Sequence, residues 1–204
     1  MEGQEYLDQI SATNRPVAKK KGGLFSSKFF MVGMIGLVIL VVIVVFGMIL
    51  GSGKGGEKEL SFALKLHLDN TAGIINEYQS SVRSSDLRSN SASLYGILTN
   101  TNKDLTEYIT GKYKFKEKDI NKNILSEANL AKDALNTELF NAKINGILDR
   151  IYAHKMAYEI SLIMTEEAKI INSTKSDSLK EALTSSYNSL ENLYNKFSDY
   201  SETK

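Results

Sequence analysis

Residues 29–50, FFMVGMIGLVILVVIVVFGMIL, form a run of 22 residues with no charge and no strongly polar side chain. As a helix rising about 1.5 Å per residue it reaches about 33 Å, which matches a bilayer hydrocarbon core of about 30 Å. Its Val and Ile content would suit a buried strand, but strands usually hold only about 5 to 6 residues. A 28-residue tail precedes the run, whereas a cleaved secretory signal has a short basic start and an apolar stretch of roughly 7 to 15 residues. The run predicts an uncleaved signal anchor that crosses the cell membrane once. Gly47 and Gly51 form a single GxxxG pair at its end, a spacing that arises often by chance and carries no weight alone.

The flanks predict direction. Arg15, Lys19, Lys20, Lys21 and Lys28 precede the run, while Lys54 and Lys58 follow it together with Glu57 and Glu59. Positive charge stays on the cytoplasmic side, so residues 1–28 read as a disordered basic cytoplasmic tail and everything after residue 50 as extracytoplasmic. Over the whole chain 25 Lys/Arg nearly cancel 24 Asp/Glu, and no field points to nucleic acid as a partner. The expected partners are the lipid bilayer and another envelope protein or an anionic envelope polymer.

Residues 51–57, GSGKGGE, read as a flexible linker. The chain has one proline and no cysteine, which favours long helices and removes disulfides and thiolate chemistry. From residue 58 to about 200, apolar residues recur at alternating spacings of three and four. Leu60, Leu64, His67, Thr71, Ile75, Tyr78 and Val82 trace a first helix. Leu87, Ser91, Leu94, Leu98, Thr101, Leu105 and Tyr108 trace a second, capped by Ser85 or Asp86 and ending at Gly111. A shorter third helix carries Ile120, Ile124, Ala128, Ala131 and Leu135, and a long fourth carries Phe140, Ile144, Ile147, Ile151, His154, Tyr158, Leu162 and Thr165. After a turn at residues 172–176, a last helix carries Leu179, Leu183, Leu190, Leu193 and Phe197. The fold class expected is all-α: a transmembrane helix followed by an antiparallel bundle of four or five helices, with residues 201–204 disordered.

Two segments echo each other. LRSNSASLYGILTN from Leu87 and LKEALTSSYNSLEN from Leu179 share Leu, a basic residue, Ser, Tyr, Leu and Asn at the same offsets, 92 residues apart. With one anchor and an all-helical outer domain, the chain resembles the LemA-type anchored bundles. With paired hairpins and the LRxxxxSLYxxLxN echo it resembles the ferritin-like superfamily over residues 57–200. Ferritin-like metal centres use Glu-x-x-His pairs, and this sequence has none, so the resemblance implies the scaffold without its metal and no cofactor.

Candidates for chemistry are few. The two histidines, His67 and His154, fall on apolar stripes, each with a hydroxyl residue one turn further on, Thr71 and Tyr158. The four could form a buried polar layer, a ligand pair or a pH switch; the simplest expectation is a core or boundary histidine bonded to a hydroxyl or carbonyl, since a transition-metal site asks for three or more ligands. Buried neutral histidines would loosen the bundle on protonation near pH 6. Glu166 and Glu167 point about 100° apart on a helix and read as a solvated face. Serines show no GxSxG elbow and no SxxK pair, and GSGKGG follows an apolar run instead of a strand. In GKYKFKEK, Lys112, Lys114, Lys116 and Lys118 alternate with Tyr113 and Phe115; if extended, they would show cations on one edge and aromatics on the other, and if packed they are a solvated loop with two tucked rings.

The function expected is that of a non-enzymatic, membrane-anchored helical bundle acting by contact at the cell envelope. Two alternatives are a pilin-like assembly subunit, in which Lys28 stands where such sequences usually have Glu, and a ligand-binding sensor bundle that signals through a partner.

Overall fold

The computed structural model of this chain describes residues 56–114 and 121–200, and these are helical and free of strand. The described elements run in the order α1 (Glu57–Tyr78), a 3-10 turn (Gln79–Ser81), α2 (Ser85–Tyr113), α3 (Lys122–Ile144), α4 (Leu148–Ser173) and α5 (Asp177–Ser198). No helix among the described residues is long and apolar enough to cross a membrane, and residues 29–50 lie outside them, as do the basic residues Arg15 to Lys28 and the expected tail, linker start and last four residues.

Each helix has a local cause. Glu57 and Glu59 sit in the first turn of α1, where carboxylates complement the positive end of the helix dipole. Ser84 caps α2 by accepting a bond from the Leu87 amide at 3.3 Å, and Ser176 caps α5 by accepting from the Leu179 amide at the same distance. The two caps stand 92 residues apart, as the sequence echo does. The correspondence extends to packing: buried Leu87, Ser91, Leu94, Leu98, Thr101 and Leu105 of α2 match buried Leu179, Leu183, Ser186, Leu190, Leu193 and Phe197 of α5 at that one offset. In the preceding helices Ser61, Leu64, Leu68, Thr71, Ile74, Ile75 and Tyr78 match Ala153, Met156, Ile160, Ile163, Glu166, Glu167 and Ile170 in the same way.

The two hairpins, α1 with α2 and α4 with α5, pack α1 against α4 and α2 against α5, which closes a four-helix ring around one apolar seam. Every neighbouring pair in the ring is antiparallel. α3 lies outside the ring against α1 and α4, held by Ile124, Leu135, Leu139 and Ala142, by Asn70 donating to the Ala128 carbonyl at 3.0 Å, by Tyr78 donating to Asn136, and by a Lys155–Glu138 ion pair.

Several boundaries differ from the sequence expectation: Ser84, and not Ser85 or Asp86, caps α2, and α3, with 23 residues, is no shorter than α1 or α5. α2 runs past Gly111 to Tyr113 and stops where Lys114 takes a left-handed φ of 50°. The expected long helix from Phe140 is two helices: Gly146 at φ 72° turns the chain, and the Ile147 amide bonds back to the Ala142 carbonyl at 3.0 Å. Asn145-Gly146 is a turn signal, and glycine meets that φ at no steric cost. The break frees α4 to bury Leu148, Tyr152, Met156, Ile160 and Ile163, while Phe140 and Ile144 are exposed.

Leu68 is fully buried in the seam, so Leu68→Ala is expected to cost about 2 to 5 kcal/mol in denaturant unfolding. Ser84→Ala and Ser176→Ala are expected to cost about 1 kcal/mol each. Their caps lie at opposite ends of the bundle, so the double variant should show the sum.

Candidate functional site

The polar atoms within the seam form two linked clusters around α4. Glu159 and Glu166 are seven residues apart, two helical turns, and so share one face of that helix. Between them stands the His67 ring from α1. Nε2 lies 2.8 Å from Glu159 Oε2, and Nδ1 lies 3.2 Å from both oxygens of Glu166. The His67 side chain is only 15% exposed. Burial by itself would depress the imidazole, but the Glu166 and Glu159 carboxylates outweigh it and carry its pKa up to about 10. At neutral pH His67 is therefore an imidazolium donating from both nitrogens, a charged clamp joining α1 to α4.

Glu167, the next residue, projects about 100° away and enters the opposite cluster. The Thr101 hydroxyl of α2 donates to Ser186 Oγ of α5 at 2.8 Å, and Ser186 donates to Glu167 Oε1 at 2.6 Å. Glu167 is completely buried and its Oε2 has no hydrogen-bond partner. Burial pushes its pKa up to about 8 against the lowering pull of Ser186, so the side chain is a neutral acid at pH 7. Two adjacent carboxyl groups thus sit in opposite surroundings, one against a cation and one fully buried beside neutral hydroxyls.

Other buried polar groups are spent on structure. The Tyr152 hydroxyl donates to Ser91 Oγ at 3.0 Å, and burial raises its pKa to about 12. Asp149, in the first turn of α4, accepts from the Arg83 amide at 2.9 Å and the Ser84 amide at 2.8 Å, which fixes the link between α1 and α2.

The residues singled out from sequence are placed as follows. Thr71 is buried and Tyr158 half-buried, but His154 is exposed, so the expected layer of His67, Thr71, His154 and Tyr158 does not form. The register of α4 is set by Tyr152, Met156 and Ile160, which turns position 154 outward. His67 finds carboxylates in place of a hydroxyl or carbonyl. Glu166 and Glu167 are both buried, a correction to the solvated face expected of them. A heptad spacing of acids facing a histidine one helix away is the signal that could have found the clamp; it is weak, because the pairing of α1 with α4 is tertiary.

The basic-aromatic segment is also rearranged. Lys112 and Tyr113 form the last turn of α2 and are not extended. Lys112 Nζ bonds Glu57 Oε1 at 2.8 Å and lies 5.1 Å from the Tyr108 ring centre, and the Tyr113 ring meets Tyr108 edge-on at 6.4 Å. Glu57 raises the Lys112 pKa, while burial of Glu57 is outweighed by Lys112 and Tyr108, which lower the acid. These contacts bind the start of α1 to the end of α2. Lys114 is exposed at the helix end; Phe115, Lys116 and Lys118 lie outside the described residues.

At the opposite end, the α1–α2 link, the α3–α4 turn and the end of α5 surround an open polar cleft, with Arg83, Asp86, Asn90, Lys143, Lys196 and Tyr200 among its lining. No group of three or more His, Asp or Glu side chains among the described residues is placed to hold a metal ion; the His67 cluster has its donors on opposite sides of the ring, and they do not converge on one point. No family model matches this chain, and no curated protein or solved structure matches it.

The pH dependence runs opposite to that of a neutral buried histidine. A base whose pKa rises on folding contributes stability that is complete below its unfolded value near 6.5 and is lost as pH rises toward 10. An acid raised from 4.5 to about 8 likewise makes the fold lose stability as pH climbs through that interval. Thermal unfolding should show Tm falling steadily from pH 5 to pH 10. Glu167→Gln should reduce the slope between about pH 4.5 and 8, and His67→Gln the slope between about pH 6.5 and 10. A Tm that rises between pH 6 and 9 would contradict both assignments.

Proposed function

We propose that this chain is a single-pass membrane-anchored helical bundle that works by non-covalent contact at the extracytoplasmic surface of the cell envelope. The observation that carries this reading is the long apolar run with a basic flank ahead of the bundle. The apolar run of residues 29–50 carries no charge and follows Arg15, Lys19, Lys20, Lys21 and Lys28, and an all-helical bundle begins seven residues after it at Glu57. The titratable groups of the seam support a non-enzymatic reading, because His67, Glu159, Glu166 and Glu167 are spent on one another and on Ser186 inside the packing. The shared register of the two hairpins supports a duplicated helix-pair scaffold.

A second reading, a ligand-binding sensor bundle, draws on the open polar cleft. Its lining mixes Arg83, Lys143 and Lys196 with Asp86 and Asp199, which suits a polar ligand carrying both hydrogen-bond donors and acceptors. Lys143→Glu combined with Lys196→Glu should abolish any ligand-induced rise in Tm found with the parent chain while leaving the unliganded Tm within about 0.5 kcal/mol equivalent, as expected of surface positions.

The anchored reading is tested on intact cells expressing the full chain. Alkaline carbonate should leave it in the membrane fraction, and external protease should remove the helical domain while sparing residues 1–28. Release by carbonate, or protection of the domain until the cells are lysed, would overturn it.

A further inference from the structure

The open cleft gathers several polar side chains that have no partner among the described residues. Arg83 lines it from the link between α1 and α2, Lys143 from the last turn of α3 and Lys196 from the last turn of α5. None of the three is in an ion pair among the described residues, whereas Lys65, Lys112 and Lys155 each hold a carboxylate. Beside them stand Ser85, Ser89 and Asn90, whose side chains make no hydrogen bond among the described residues. Surface hydroxyls elsewhere are satisfied locally: Ser93, Thr99, Thr137, Thr184 and Ser189 each donate to a main-chain carbonyl one turn back, at 2.7 to 3.1 Å. The helix dipole explains a basic last turn, but it accounts neither for Arg83, which precedes its helix, nor for the unbonded hydroxyls.

The balance of donors and acceptors in the cleft defines what would complete it. A guanidinium brings five N–H donors and an ammonium three, with no acceptor on either. Of the acids in the lining, Asp149 already accepts from the Arg83 and Ser84 amides at 2.8 to 3.2 Å, which leaves Asp86 and Asp199 to face three cations. The cleft therefore lacks acceptors, and oxyanions are the strongest acceptors for such donors. The Asp149 bonds, with Arg88 donating to the Val82 and Arg83 carbonyls at 3.0 and 3.1 Å, also hold the link in place before any ligand arrives. A volume of about 1280 Å³ exceeds the roughly 300 to 1,000 Å³ of sites for single small molecules, so a lone phosphate or carboxylate ion would leave most of it empty. A peptide main chain brings about as many donors as acceptors and does not relieve the imbalance. Nucleic-acid bases need aromatic platforms, and Tyr200 is the one aromatic among the described lining residues.

Resting on the envelope-contact reading above, we propose that the cleft binds a segment of an anionic polyhydroxyl chain, a polyol-phosphate or sugar-acid polymer. Its oxyanions pair with Arg83, Lys143 and Lys196, and its hydroxyls bond Ser85, Ser89 and Asn90. Asp86 and Asp199 accept from the same hydroxyls and repel a chain that carries carboxylates alone.

The test titrates the full chain in non-ionic detergent with poly(glycerol phosphate), polygalacturonate, polyglutamate and a single-stranded oligonucleotide, reading affinity directly and as a rise in Tm. One or both of the first two should bind, and which of them binds assigns phosphate or carboxylate as the recognised oxyanion. Arg83→Gln combined with Lys143→Gln and Lys196→Gln should weaken that binding about tenfold or more. Lys103→Gln combined with Lys169→Gln and Lys180→Gln removes the same three charges outside the cleft and should leave it unchanged. Ser85→Ala with Ser89→Ala should weaken it several-fold at an unchanged unliganded Tm. Binding of neither polymer, equal loss in the two lysine-bearing triple variants, or equal affinity for polyglutamate or the oligonucleotide would each overturn the proposal. None of these outcomes depends on how the chain is oriented in a membrane, so a failure here is distinct from a failure of the carbonate and protease results.

Discussion

The bundle depends on burying one continuous apolar seam without stranding the polar atoms that lie within it. Leu, Ile and Met side chains from α1, α2, α4 and α5 supply the seam, and burial of each large side chain contributes about 1.5 to 3 kcal/mol. A buried polar atom left unpaired costs a comparable amount. The polar residues of the seam are accordingly matched across helices: Ser91 with Tyr152, Thr101 with Ser186, Ser186 with Glu167, and His67 with Glu159 and Glu166. Glu167 Oε2 is the exception among these, and remaining protonated spares the core a buried charge.

These polar contacts also break the symmetry of the two hairpins. Ser91 and Thr101 of α2 correspond to Leu183 and Leu193 of α5, and Leu94 corresponds to Ser186. The polar positions alternate between the halves, so each hydroxyl meets a partner from the other hairpin. His67 and Glu159 occupy equivalent positions, 92 residues apart, and meet face to face as a base and an acid. Two identical hairpins would have placed like groups opposite each other there. Divergence at a few buried positions is what makes the two halves specific for one another.

α3 stands apart from this logic. It is absent from the 92-residue correspondence, lies outside the ring, and is tied down by Asn70, Tyr78 and Lys155 at its inner side. The two ends of the bundle differ as well. Glu57, Tyr108 and Lys112 knot the end where the chain enters, while the other end opens into a polar cleft walled by the links between helices. The ring supplies rigidity, and the surfaces available for contact lie on the added helix and at the open end.

Much of the architecture was legible in the chain itself. Periodicity located α1, α2 and α5 within a few residues, because stripes such as Leu87 to Leu105 and Leu179 to Phe197 repeat cleanly and are introduced by capping serines. The α3–α4 region was misread, since Phe140 and Ile144 continue a helical period that only the positive φ of Gly146 interrupts. The candidate site was barely legible: His67 was visible as an odd polar residue on an apolar face, but its partners lie 92 and 99 residues away, and no local pattern states which helix will face which. The sequence alone determined the helical class and the register of the apolar stripes within each hairpin, because these follow from local spacing. The tertiary structure decided the protonation of His67 and Glu167, the burial of Glu166 and the exposure of His154 and α3, because charge state and exposure depend on what the fold brings within a few ångströms.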